Sequence, residues 1–141
     1  TIAFDIAFSQ PDRTSPALAL TDLRKNGATI DLPAGIELDN DAVLAKSFAA
    51  APVVAGMVIS SENQTALPLP KAGFAFGGAD PRTYLPKFSG GLVNLPVLSA
   101  AAPGMGFFSF PLSTDGVVRQ VPVIASAQVS VAYTTIAAAG E

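Results

Sequence analysis

Residues 39–60 read DNDAVLAKSFAAAPVVAGMVIS, and their interpretation decides the fold. Asp39, Asn40 and Asp41 carry side chains that accept hydrogen bonds from the orphan backbone donors of a helix start, and their charge suits its positive end. The Ala42–Ala51 stretch places Leu44 and Phe48 on one helical face, and Pro52 closes it. Val53 to Ser60 is then a near-continuous apolar run bounded by Ser61, Glu62 and Asn63, the pattern of a strand covered on both faces. Upstream, Thr1 to Phe8 has the same character, broken only by Asp5, and is expected to be a second buried strand. Strand, helix and strand in that order predict a parallel βαβ-type core.

Between the two strands, Ser9 to Pro16 is a cluster of turn formers in which Pro11 and Pro16 lack backbone donors, so a long polar loop is expected at a strand end. Pro16 to Lys25 reads as a helix stopped by Asn26 and Gly27, although Leu18, Leu20 and Leu23 fit neither period well. Prolines and glycines chop residues 61–104 into loop with short elements: strands at Phe74–Phe76 and Leu92–Leu95, and one helical turn at Val97–Ala102. Met105–Phe110 and Val117–Ala125 are apolar and strand-length. The Asp115-Gly116 pair between them favours a turn that needs positive φ, so an antiparallel hairpin is expected. The Ala-rich stretch from Ser130 to Ala139, ending at Gly140, reads as a closing helix. The predicted fold is therefore α/β: a single sandwich-like domain over residues 1–141, with a central mixed sheet, helices on its faces, and a C-terminal antiparallel hairpin followed by a helix.

Composition narrows function by exclusion. The 141 residues are 50% apolar and 13% charged, enough for one self-sufficient core and unlike a disordered chain. Eight basic against eleven acidic residues give a net charge of −3 without a basic run, so nucleic acid is not an expected partner. There is no histidine and no cysteine, which removes disulfides, thiol nucleophiles, imidazole or thiolate metal sites and histidine-assisted triads. No cofactor is called for. Prolines interrupt every apolar run before it reaches the eighteen or so residues that cross a bilayer. A chain opening at Thr1 reads as a piece of a longer protein.

The candidate site residues are Asp5, Asp12, Arg13, Ser15, Asp115 and Arg119. Asp5 is the lone charge in an apolar strand, and a buried carboxylate there needs donors, either from the adjoining loop or from a ligand or ion. Arg119 lies on a hydrophobic strand, where its guanidinium suits either a bidentate pair with Asp5, Asp12 or Asp115 or a ligand carboxylate or phosphate. Asp12, Arg13 and Ser15 follow the C-terminal end of a strand, the place where ligands collect in open α/β sheets, although the same residues serve any turn. Structural pairing carries more weight at each of these positions. Asp39 and Asp41 read as helix caps, no loop has the alternating acidic spacing of a calcium motif, and the Gly77-Gly78 and Gly90-Gly91 pairs lack the context of a phosphate loop.

Four segments carry a resemblance: Ile2–Phe8 followed by Pro11–Pro16; Asp41–Ala45; Pro52–Val54; and Asp115–Pro122, which reads DGVVRQVP after a GFFSF strand. Together they span nearly the whole chain, and the chain resembles the second type of CHASE domain. Between residues 61 and 104 the likeness is confined to Asn94 and the Ala100–Gly104 stretch. The resemblance implies an extracytoplasmic, periplasmic sensory domain of a bacterial membrane protein, held by transmembrane segments and controlling a cytoplasmic adenylate or guanylate cyclase or a histidine kinase of a two-component system in the same chain. It also implies a homodimeric receptor and a small-molecule or ion ligand. The domain itself is expected not to be an enzyme. The competing readings are a structural or dimerisation module without a small ligand, and a hydrolase built on Asp5 or Asp12, which lacks a base and an electrophile.

Overall fold

In the computed structural model, which describes residues 1–62, 65–73, 75–110, 114–127 and 131–134, the element order begins with a short strand β1 (Ile2–Ala3), then helices α1 (Pro16–Lys25) and α2 (Asn40–Ala49) and the long strand β2 (Val53–Ser60). A 3-10 turn at Pro81–Thr83 precedes the short strands β3 (Lys87–Phe88) and β4 (Gly90–Leu92). Helix α3 (Pro96–Ala101) and strands β5 (Gly104–Phe107), β6 (Ile124–Ala127) and β7 (Val131–Thr134) complete the chain.

β2 organises the first sheet. β1 runs parallel to its first half, with Ile2 opposite Val53, and β4 runs antiparallel to its last residues, with Val58 opposite Leu92. β5 runs parallel to its middle, from Val54 opposite Gly104 to Met57 opposite Phe107. The odd-numbered side chains Val53, Ala55, Met57 and Ile59 join the main core with Phe48 of α2, Leu98 of α3 and Phe107 of β5. Alternation thus sends one face of β2 into the core. On the other face Val54 and Gly56 are also buried, which is why the strand reads as apolar throughout. Gly56 sits there because nothing larger fits: a Cβ would collide with the Phe4 carbonyl oxygen and lie 2.8 Å from Phe108 Cδ1.

The helices follow their sequence signals. Asp39 caps α2 by accepting from the Asp41 N–H at 3.0 Å, and Phe48, only 2% exposed, anchors the helix in the core. The Phe48 ring stacks on Phe4 at 5.3 Å between centroids and meets Phe8 edge-on at 6.1 Å, clamping the N-terminal segment down. α1 spans the residues predicted for it and none of its side chains is buried.

The second sheet, ordered β3-β6-β7, shares this core through Ala125 and Ala127 of β6. Four expectations are corrected here. Met105–Phe110 does not form a hairpin with Val117–Ala125: β5 pairs with β2, residues 117–123 are not in a strand, and β6 pairs in parallel with β3 and antiparallel with β7. The Asp115-Gly116 turn itself is present, with Gly116 at φ 79°, but it connects no paired strands. Val131–Thr134 is extended rather than helical, because β6 offers it a partner edge; the rest of the expected closing helix lies outside the described residues. The expected strand at Phe74–Phe76 has Phe74 outside the described residues, and Ala75 and Phe76 are not in a strand; that at Leu92–Leu95 is displaced to Gly90–Leu92.

Asn94 fills a gap in the first sheet. β1 leaves β2 after Phe4, whose N–H donates to the Val54 carbonyl, and β4 begins only opposite Val58. The Gly56 carbonyl between them would lack a partner. The Asn94 side chain, 3% exposed as a residue, donates from Nδ2 to that carbonyl at 2.8 Å and accepts the Phe8 N–H on Oδ1 at 2.7 Å. Leu95 N–H then donates to the Phe8 carbonyl at 2.8 Å, so one side chain and the next backbone group stand in for a missing strand.

Candidate functional site

The loop after the first strand is held by Asp12. Its Oδ1 accepts the Thr14 N–H and the Thr14 hydroxyl, both at 2.8 Å, and its Oδ2 accepts Asn40 Nδ2 at 2.7 Å. The backbone donor of Thr14 and the Asn40 amide favour the ionised form, so the Asp12 carboxyl titrates below its ordinary range. Asp12 N–H donates to Asp41 Oδ2 at 2.9 Å, and the buried Ser15 hydroxyl accepts the Asn40 N–H at 3.1 Å. Asp12 and Ser15 therefore satisfy the start of α2, and their oxygens are spent on the protein's own donors. Arg13 is exposed and reaches only Gln10 Oε1 at 3.3 Å.

Asp5 is exposed rather than buried. Regular pairing ends at Phe4, and Ile2 and Ile6, each 52% exposed, share its open surroundings, so the carboxylate is solvated and needs no buried donor. Arg119 pairs with Asp115, donating from Nη1 at 2.7 Å and Nη2 at 2.6 Å. The guanidinium holds the Asp115 carboxyl below the usual carboxylate range. This bridge is local and solvent-exposed, and it does not tie that segment to the first strand. Among the described residues, no hydrogen bond or ion pair links Asp5, the Asp12 loop and the Asp115–Arg119 pair. No group of three or more acidic side chains there comes together as a metal site.

A concavity among the described residues lies elsewhere. A cleft of about 920 Å³ opens between the end of β2, the 3-10 turn and the β3–β6 pair. Alternation along β6 turns Ala125 and Ala127 into the core and leaves Ser126 lining the cleft opposite Lys87 and Phe88 of β3. Ser61 and Ser89 form its rim, where the Ser89 hydroxyl donates to the Ser61 carbonyl at 3.0 Å. In the turn, Asp80 accepts Arg82 Nε on both carboxylate oxygens at 3.0 and 2.9 Å, and Arg82 Nη2 at 2.6 Å. The pair holds the Asp80 carboxyl low and the Arg82 guanidinium high. None of the six residues singled out from the sequence lines this cleft. Its side chains come from three separated segments of the Pro- and Gly-rich middle and from β6, so local spacing carried no signal of it.

A family model described as the CHASE2 domain matches residues 1–140, and the chain belongs to that family. CHASE2 domains are extracytoplasmic sensory domains without catalytic activity of their own. No curated protein and no solved structure matches the chain. No helix among the described residues is long and apolar enough to cross a membrane.

Proposed function

We propose that this chain is the periplasmic sensory module of a bacterial transmembrane receptor, and that its conformational equilibrium sets the activity of a cytoplasmic cyclase or histidine kinase carried by the same polypeptide. The CHASE2 match over nearly its full length carries this reading. The lack of histidine and cysteine agrees with a module that recognises rather than transforms. Because residues 1–141 contain no thiol, a cysteine placed at exposed Ala34 gives a single reporter within this domain, read against the intact receptor without it. Labelling by a membrane-impermeant maleimide in cells with a permeabilised outer membrane is the expected result, and labelling only after lysis of the inner membrane overturns the location. Deleting residues 1–141 is expected to change cyclic-nucleotide or phosphohistidine output, and unchanged output overturns the sensory role.

A second reading, a homodimerising spacer without a small ligand, draws on the exposed apolar side chains Leu18 and Leu23 of α1, about half exposed, and Ile2 and Ile6 of the chain's first segment. Sedimentation that stays strictly monomeric at high concentration refutes it.

A further inference from the structure

Lys87 is the uncompensated charge of the cleft between the 3-10 turn and the β3–β6 pair. Among the described residues its ammonium group makes no ion pair or hydrogen bond, while the one carboxylate nearby, Asp80, is already spent on Arg82. That pair uses the Nε and Nη2 side of the guanidinium and leaves Nη1 unengaged. Ser126 is buried as a residue, yet its hydroxyl has no protein partner and faces the cleft, as does that of Ser61. A chain of net charge −3 thus gathers a free ammonium, an open guanidinium edge and unpaired hydroxyls around one cleft.

We propose that this cleft binds a small polar carboxylate, whose oxygens accept from Lys87 Nζ and Arg82 Nη1 and whose hydroxyl or carbonyl groups meet Ser61 and Ser126. Carboxylate is favoured over phosphate because the turn has no amide cradle to offer. Arg82 N–H donates to Asp80 Oδ1 at 3.0 Å and Thr83 N–H to the Asp80 carbonyl at 3.3 Å, so both backbone donors that a phosphate site would use are occupied. The volume of about 920 Å³ suits a small organic molecule rather than a bare ion. As the stimulus of a sensory domain, this ligand rests on the reading above, but the binding is measured on the isolated chain and fails or holds independently of membrane topology and output.

The test is the thermal unfolding midpoint, followed by calorimetric titration, with succinate, L-malate and gluconate at low ionic strength and pH 7, against inorganic phosphate and glucose. At least one carboxylate is expected to raise the midpoint, with glucose inert and phosphate weaker. Lys87→Gln, at an exposed position, is expected to weaken binding roughly tenfold, the scale of a lost charge-assisted hydrogen bond. Arg119→Ala is expected to bind as the native chain does. No response to any of the three carboxylates overturns the proposal. So does binding that survives Lys87→Gln, or phosphate binding as tightly as the best carboxylate.

Discussion

Replacing Asn94 with alanine isolates the plug between β1 and β4. The substitution removes an acceptor 2.7 Å from the Phe8 N–H and a donor 2.8 Å from the Gly56 carbonyl. Gly56 is buried and Phe8 partly so, which limits the access of water to the orphaned groups. An unsatisfied buried backbone group costs about 1–3 kcal/mol, so the two together predict a loss of about 2–6 kcal/mol. Domain stabilities run to about 5–15 kcal/mol, which makes this a substantial fraction. At roughly 3 °C per kcal/mol for a chain of this length, the unfolding midpoint should fall by about 6–18 °C. Urea denaturation provides the check: the midpoint concentration should drop while the m-value stays constant, because the surface exposed on unfolding is unchanged. A loss below about 0.5 kcal/mol would refute the reasoning, since it would mean that the Phe8 and Gly56 groups find other partners without the amide.

Three further outcomes follow from the same geometry. Gly56→Ala sets a Cβ against the Phe4 carbonyl oxygen and the Phe108 ring, so β1 must detach; limited proteolysis should cut within residues 1–10 in the variant and spare them in the native chain. Asp12, Glu37, Asp80 and Asp115 are all held below their ordinary pKa values of 3.8 and 4.5 by hydrogen bonds that exist only in the folded state. Their contribution is complete above those ordinary values and is lost as pH falls through the lower, folded ones, so the unfolding midpoint should be level near neutrality and decline below about pH 4.5. A midpoint that rises on acidification would contradict this. Arg119→Ala breaks only a solvent-exposed pair and should leave the thermal midpoint within experimental scatter; a large drop would reveal a tertiary role for the guanidinium.

What the sequence disclosed tracks the range over which each signal acts. The Asp39 cap, the Leu44 and Phe48 spacing and the Pro52 stop are contained within one helix, and α2 and β2 appear where these residues place them. The Asp115-Gly116 turn is equally local and is present, yet it says nothing about which strands pair, and β5 takes β2 as its partner across the intervening middle of the chain. Val131, Tyr133 and Thr134 favour an extended backbone, and pairing with β6 outweighs the alanines beside them. At Asp12 and Ser15 the hydrogen bonds close within the loop and the start of α2, a local pattern that turn-forming residue types already suggest. Asp5 departs from the expected burial because apolar neighbours do not guarantee cover, and a short edge strand leaves Ile2 and Ile6 open. The cleft around Lys87 and Ser126 is assembled by the meeting of β3 and β6, which no window of adjacent residues contains.

Every strand of the first sheet depends on β2, and β2 lies in the middle of the chain. As the polypeptide emerges N-terminus first, Ile2 has no partner until Val53 follows it, and Gly104 must arrive before the far edge can close. Such distant pairings are slow to form, because loop closure is paid for before any ladder rewards it. Until those partners arrive, the apolar first and central segments stay uncovered, so the interval between the emergence of Ile2 and the closing of the Gly104 edge is when this chain is open to chaperones and to aggregation alike.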